Sequence, residues 1–373
     1  MTSEKTLAIV GASLAGAKAA EAARQAGYEG RIVLIGDEAG LPYERPPLSK
    51  AVLRGEKEAS SARVHDEKFY DTQRVELIKQ RAVALDARNR AVELAGGDSI
   101  AFDAAVLATG AVPRQLDAPG AGLGGVHYLR TIDDSVRLRD AIRGAKRVAV
   151  IGAGWIGSEV AASARQMSGD VVLIDPAPVP LQRVLGDEVG EVFRKLHADN
   201  GVELRLGIGV KELRGTKTVE GVVLDDGRVE DADVVVVGIG VIPQAELAEE
   251  AFGISVDDGV VVDDHLETTV KGIFAAGDVA NAWHPHYRRY LRVEHWSNAL
   301  NQGQTAGRNA AGQSETYERL PYFFSDQFDL GMEYVGYGTA EDSVVLRGDV
   351  GAREFIAFWH RDGVVTAAMN VNV

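Results

Sequence analysis

The strongest constraint on this chain is a pattern that occurs twice. Near the N-terminus the apolar run Leu7-Ala8-Ile9-Val10 enters Gly11-Ala12-Ser13-Leu14-Ala15-Gly16, then an alanine-rich helical stretch to about Ala26. A second apolar strand, Arg31 to Ile35, ends on Gly36-Asp37-Glu38. The same order returns at Val148-Ala149-Val150-Ile151, Gly152-Ala153-Gly154-Trp155-Ile156-Gly157, a helix to about Met167, and a strand Val171 to Ile174 ending on Asp175. Strand, glycine turn, helix, strand and terminal acid make a βαβ unit suited to a dinucleotide. The first glycine permits a tight turn, the second lets backbone approach a pyrophosphate, and the third lets the helix pack on the strand. The helix N-terminus offers unpaired N–H groups and partial positive charge to the phosphates, while the acid accepts from ribose hydroxyls. One glycine turn would be weak evidence; two in full context are strong. In the first copy Ser13 stands where the middle glycine is expected, and its Cβ restricts backbone approach. It is read as tolerated.

Further strands end in turns that return the chain to the first nucleotide. Ala105-Val106-Leu107-Ala108-Thr109-Gly110 is an apolar strand closed by a small polar residue and glycine, and Val234 to Val237 followed by Gly238-Ile239-Gly240 repeats that design. The segment Thr268 to Asp278 ends on Gly277-Asp278, where a carboxylate is placed to accept a ribityl hydroxyl. A helix N-cap is the competing reading of Asp278.

Composition narrows the partners. The 373 residues suffice for two or three domains with sizeable cores. The early apolar run Leu7 to Val10 is too short for a membrane span or a signal h-region, so a cytoplasmic location is expected. A net charge of -15 argues against nucleic acid or an anionic membrane as partner, leaving small molecules and proteins. The chain has no cysteine, hence no disulfide, thiolate metal site or redox dithiol, and no metal is expected.

Several segments together carry a resemblance. They are Leu41-Pro42-Tyr43-Glu44-Arg45-Pro46-Pro47-Leu48-Ser49-Lys50, the Ala-Thr-Gly turn, the Gly-Asp strand, Glu294-His295-Trp296-Ser297-Asn298-Ala299 and Phe324-Ser325-Asp326-Gln327-Phe328-Asp329. In this order, over essentially the whole chain, they resemble the ferredoxin reductase components of bacterial oxygenase systems, the putidaredoxin-reductase and rhodocoxin-reductase family. The resemblance implies a glutathione-reductase-like α/β fold with two Rossmann-type domains and a small C-terminal α+β domain. The FAD-binding domain is expected at 1–108 and 241–318, the NAD-binding domain at 109–240 and the C-terminal domain at 319–373. Similar proteins continue past the strand matching Val364 to Asn370, so the C-terminus is expected to be truncated.

The resemblance also implies roles. Lys50 matches a lysine near the flavin ring, where a cation favours negative charge on reduced flavin. Arg45 reaches FAD phosphate as a bidentate donor, or else forms a surface salt bridge. Glu159, read as lying in the first turn of its helix, matches a glutamate beside the nicotinamide, although the helix dipole alone also favours an acid there. Trp296 matches a residue packed on the isoalloxazine, or else is core. Arg130 matches an FAD contact, as do Ala15, Asp37 and Val83. The expected function is hydride transfer from NADH to FAD, then single electrons to a ferredoxin-type iron–sulfur protein. Disulfide reductases and cysteine-dependent peroxidases relay electrons through a thiol that this chain lacks. A slow redox sensor resembling apoptosis-inducing factor, and a rubredoxin reductase, are the alternatives. Three further expectations are NADH preference through Asp175, softened by Arg183; slower flavin reduction on loss of Lys50 or Glu159; and acceptor docking on Trp283 to Arg292, whose arginines otherwise pair with acids such as Glu294. The oligomeric state is left open.

Overall fold

The computed structural model describes residues 5–167 and 169–373, which fall into two compact units. The first comprises the described part of Met1–Glu44 with Ala62–Val112 and Ile242–Pro321; the second comprises Arg45–Ser61, Pro113–Val241 and Tyr322–Val373.

In the first unit a five-stranded parallel sheet runs in the order Ile273–Ala275, Ala104–Leu107, Thr6–Val10, Arg31–Ile35, Val75–Ile78. Thr6–Val10 is buried almost throughout, as a parallel strand covered on both faces must be. Helix Leu14–Gln25 lies against helix Trp296–Ala310 at backbone-contact distance, because Gly303 and Gly307 face the Ala15 and Ala19 carbonyls. A Cβ at Gly303 would sit 2.4 Å from the Ala15 oxygen. An antiparallel ribbon of Ala82–Asp86, Ala91–Leu94 and Ser99–Ala101 completes the repeat.

The second unit repeats this plan. Its parallel sheet is ordered Glu203–Leu206, Asp170–Asp175, Arg147–Ile151, Val234–Val237, Val126–His127. An antiparallel ribbon of Val210–Gly215, Val219–Leu224 and Val229–Asp231 again accompanies it. In both sheets the third, second and first strands of the repeat are followed by the strand that ends in a glycine turn.

From Tyr322 on, five antiparallel strands form one sheet in the order Tyr322–Gln327, Leu330–Gly336, Val364–Val371, Glu354–Arg361, Ser343–Asp349. Alternation along Glu354–Arg361 buries Phe355, Ala357 and Trp359 on one face. Helix Gln182–Asp199 covers that face with Leu185, Val189, Phe193 and Leu196, and Trp359 Nε1 donates to the Leu185 carbonyl at 3.3 Å. The α+β character of this domain therefore uses a helix from the second nucleotide repeat. No described helix is long and apolar enough to cross a membrane.

Candidate functional site

The two glycine turns are built alike. Gly11 N donates to the Ile35 carbonyl at 2.8 Å, and Gly152 N donates to the Ile174 carbonyl at 2.8 Å. Both glycines have positive φ, +117° and +100°, and an added Cβ would lie 2.0 Å from the Ala108 oxygen or 2.4 Å from the Gly238 oxygen. The strands ending at Ala108-Thr109-Gly110 and Gly238-Ile239-Gly240 thus press their last carbonyls against the turns. Thr109 Oγ1 donates to the Gln244 carbonyl at 2.6 Å, and the Gly240 carbonyl accepts from Arg114 N at 2.9 Å. The third glycines, Gly16 and Gly157, let the helices sit on the Gly11 and Gly152 carbonyls, 2.0 and 1.8 Å from where a Cβ would be.

Gly154 differs, because a Cβ there would meet no protein atom within 4 Å. Packing does not require glycine at this position, which suits a pyrophosphate approached by backbone. Ser13, its counterpart, has extended backbone (φ -119°, ψ -158°) and donates to the Tyr43 carbonyl at 3.3 Å, leaving helix Leu14–Gln25 without a side-chain cap. No acid occupies the first turn of either nucleotide helix, so the leading N–H groups suit an anion. The residues present fit FAD and NAD.

The acids ending the second strands are anchored. Asp175 accepts from Ala153 N at 2.6 Å and Ala177 N at 2.7 Å, and Arg183 is exposed in the first turn of helix Gln182–Asp199. Asp37 is exposed, and Glu38 accepts from the Tyr43 hydroxyl.

Lys50 and Glu159 come together. Glu159 is the fifth residue of helix Trp155–Met167, not in its first turn as the sequence suggested, because the helix begins at Trp155, within the glycine turn. The helix dipole, confined to the end turn, therefore does not explain this acid. Its carboxylate is 5% exposed: Oε2 accepts from Ser49 Oγ at 2.5 Å and Lys50 Nζ at 2.6 Å, and Oε1 from Ser325 Oγ at 2.7 Å. Lys50 also donates to the Pro46 carbonyl at 3.3 Å. Pro46 and Pro47 open the short 3-10 turn Pro46–Ser49, which is tied down by Ser135 Oγ donating to the Leu48 carbonyl and Ser163 Oγ to the Ser49 carbonyl. This is a satisfied buried ion pair, costly to break by removing one partner.

The remaining candidates meet in smaller groups: Arg45 with Arg130, Gly277 against Ala15, and Asp278 with His295. Arg45 donates through Nη1 to the Arg130 carbonyl, and Arg130 precedes the capping box of Thr131 and Asp134. The ring of Trp155 packs edge-on against Phe323, at 4.7 Å between centroids, and Phe193, at 6.1 Å, so its side chain serves the aromatic cluster under the C-terminal sheet. Ile156 is exposed. Gly277 N donates to Gln302 Oε1 at 2.9 Å, and Asp278 sits in a turn leading to strand Ala280–His284, not at a helix start. The N-cap reading of Asp278 is therefore wrong. Glu294 accepts from Arg292, which also pairs with Asp258. His295 is the N-cap residue of helix Trp296–Ala310, and burial pushes its imidazole down to about 4. Trp296, which opens that helix, is half-buried, and Val83 is exposed on strand Ala82–Asp86.

Two serines that hold Glu159 were not singled out from sequence. Ser325 and Gln327 share with Phe323 the inward side of strand Tyr322–Gln327, and polar residues at inward positions were the available signal.

Residues 5–303 match the family described as pyridine nucleotide-disulphide oxidoreductase, and residues 322–373 match the reductase C-terminal family. This chain belongs to the pyridine nucleotide-disulphide oxidoreductases. Within that family it is similar to the probable ferredoxin reductase of Castellaniella defragrans, 39% identical over all of this chain and 91% of the relative. A crystal structure of a ferredoxin reductase from Rhodopseudomonas palustris superposes with a TM-score of 0.96 at 40% identity, covering 99% of this chain and 91% of that one. The covalent putidaredoxin reductase–putidaredoxin complex gives 0.95 at 35% identity, covering 99% and 90%. Despite the family's name, this member has no cysteine for a disulphide.

Proposed function

We propose that this chain is the NADH-oxidising ferredoxin reductase component of an oxygenase system, with FAD resident in the first nucleotide repeat. The observation that carries the reading is the buried Glu159 carboxylate, held by Ser49, Lys50 and Ser325 one turn inside the helix that follows the second glycine turn. Bound FAD supplies the redox chemistry, accepting hydride and releasing electrons one at a time.

The chain's own part is to bind and orient. Gly152, Gly154 and Gly157 admit the pyrophosphate of NADH to the helix N-terminus, and Asp175 takes the ribose. Glu159 accepts from the nicotinamide carboxamide and holds the ring with reacting atoms within about 3–3.5 Å, the geometry hydride transfer demands. No side chain has to move a proton. Lys50 places a cation where negative charge builds. Gly11, Ser13, Leu14, Ala15 and Gly16 bind FAD pyrophosphate, Asp37 and Glu38 its ribose, and Asp278 its ribityl chain. Val83 and Trp296 complete that site, and the resemblance gives FAD contacts to Arg45 and Arg130 as well. On this reading 1–108 and 241–318 serve FAD, 109–240 serves NAD, and 319–373 is the C-terminal domain, all in the cytoplasm. With no thiol to relay them, electrons pass to an external acceptor. Mixing with NADH should bleach the flavin within milliseconds, and a ferredoxin from the same organism should restore its colour. Slow bleaching, or no response to any ferredoxin, defeats the proposal.

NADH should be preferred over NADPH, because an ionised Asp175 repels a 2′-phosphate. A higher kcat/KM for NADPH would remove that role from Asp175.

The acceptor docks on the hairpin of Ala280–His284 and Arg289–Arg292, in which Trp283 packs on Tyr290 with 5.3 Å between ring centroids. Arg292 pairs with Asp258 and Glu294, and the docking charge assigned to this stretch is that of Arg288 and Arg289. Local charge governs an encounter despite the net -15, since screening acts over about 8 Å. Reversing both arginines should raise KM for ferredoxin and flatten its salt dependence without changing ferricyanide reduction. Equal ferredoxin kinetics across a salt series would place docking elsewhere.

A further inference from the structure

Behind Glu159 runs a line of buried polar side chains. Ser325 Oγ lies 2.7 Å from Glu159 Oε1, Gln327 Nε2 lies 3.3 Å from Ser325 Oγ, and Gln327 Oε1 lies 2.9 Å from His197 Nε2. The exposures of Ser325, Gln327 and His197 are 1%, 1% and 0%. His197 sits on helix Gln182–Asp199 beside Phe193 and Leu196, and its ring meets Phe328 edge-on at 5.5 Å. Ser325 and Gln327 occupy inward positions of the strand on which Phe323 is core. Apolar residues would suit all three places, and a buried polar group is costly wherever it lacks a partner.

The hydrogen bonds have one possible direction. A carboxylate only accepts, so the Ser325 hydroxyl proton points at Glu159. The Ser325 oxygen then accepts from the Gln327 amide nitrogen, which leaves the Gln327 oxygen toward His197. That oxygen needs a donor, so His197 carries its proton on Nε2 and leaves Nδ1 bare. Burial pushes the His197 imidazole down to about 4, so at neutral pH it has one proton to give. Nδ1 has no hydrogen-bond partner among the described residues, and a bare ring nitrogen left so costs less than an unpaired N–H would.

We propose that His197, Gln327 and Ser325 form a one-way donor relay of positioning residues that fixes the rotamer of the Glu159 carboxylate for the nicotinamide. Through it the C-terminal sheet and helix Gln182–Asp199 set the geometry of hydride transfer without touching NADH. The relay rests on the assignment of Glu159 to the nicotinamide.

The test uses the FAD-loaded enzyme, NADH for stopped-flow reduction, NAD+ for calorimetric binding, and nitrogen NMR of histidine-labelled protein. Ser325→Ala and Gln327→Leu should each slow flavin reduction about three- to tenfold, the effect of losing one ordinary hydrogen bond from the line, and should weaken NAD+ binding. In a Glu159→Gln background neither should slow it further, since the relay then has no carboxylate to orient. The unmodified enzyme should show His197 as the Nε2–H tautomer, and Ser325→Ala should mix the tautomers by freeing the Gln327 amide to turn over. An Nδ1–H tautomer or a cationic His197 in the unmodified enzyme overturns the relay even if a variant misfolds. Equal slowing in both backgrounds overturns it as well, because the residues would then be plain structure. If Glu159→Gln is slow while Ser325→Ala and Gln327→Leu behave as unmodified enzyme, the relay is wrong and the nicotinamide role of Glu159 stands. If Glu159→Gln itself reduces flavin normally, that role fails and the relay loses its purpose.

Discussion

Glu159→Ala and Lys50→Ala are each expected to slow flavin reduction by NADH by about tenfold to a hundredfold while FAD stays bound, the cost of losing about 1–3 kcal/mol of positioning. Both groups are nearly out of water and neither is spare: Glu159 accepts three side-chain hydrogen bonds, and Lys50 bridges it to the Pro46 carbonyl. Without Glu159, Lys50 and two serines lose their acceptor. Without Lys50, a buried carboxylate keeps only the serine hydroxyls. Removing one partner of a buried pair costs about 3–5 kcal/mol of stability, so thermal denaturation must be measured beside the kinetics. Glu159→Gln separates the two effects, because the amide keeps an acceptor for Ser49 or Ser325 while abolishing the charge. A variant that melts early but reduces flavin at the normal rate would show that the pair only holds the fold together.

Gly157→Ala is expected to destabilise the second unit and abolish useful NADH binding, whereas Gly154→Ala should leave stability within about 0.5 kcal/mol and raise KM for NADH. Alanine inside a helix normally stabilises it relative to glycine by about 1 kcal/mol. At Gly157 that preference is overturned, because the new methyl would sit 1.8 Å from the Gly152 carbonyl oxygen, a backbone atom held by the sheet. Overpacking of this kind costs about 1–3 kcal/mol or more, and relieving it lifts the helix away from the turn that presents its N–H groups. At Gly154 the methyl meets no protein atom within 4 Å, so only a ligand can object. Thermal denaturation with NADH titration on both variants decides the matter. An unchanged KM in Gly154→Ala would mean that the pyrophosphate does not approach this backbone, and an unchanged melting temperature in Gly157→Ala would mean that the helix has room to yield.

Much of the fold was legible because it depends on local order. Gly16 and Gly157 are demanded by contacts with Gly11 and Gly152 inside a strand–turn–helix unit, and such contacts repeat wherever the unit does; Gly11 and Gly152 have positive φ, and a Cβ on either would also meet a more distant strand, at Ala108 and Gly238. The parallel sheets follow from apolar strands alternating with helices, and the absence of cysteine by itself removes thiol chemistry. Residues whose roles depend on distant partners were read less well. Trp155 lies inside a glycine turn that the sequence gives to the cofactor, and nothing local shows that its ring packs in a cluster with Phe323, far along the chain. A helix cap was the competing reading of Asp278, and it fails because the segment after Asp278 pairs as a strand with Val260–Val262.

By itself the sequence determined the two nucleotide repeats and the chemistry available, and it marked Lys50 and Glu159 as separate residues of interest; that the two pair was decided by the fold. Only the tertiary structure decided what surrounds that pair. Ser49, Ser325, Gln327 and His197 come from segments up to 278 residues apart, from Ser49 to Gln327, and meet because the 3-10 turn Pro46–Ser49, a strand of the C-terminal sheet and two helices converge. Periodicity reports which side of an element faces inward. It carries no information about which carboxylate a buried serine will find there, since a hydrogen bond depends on angles and tenths of an ångström that packing of the whole unit sets.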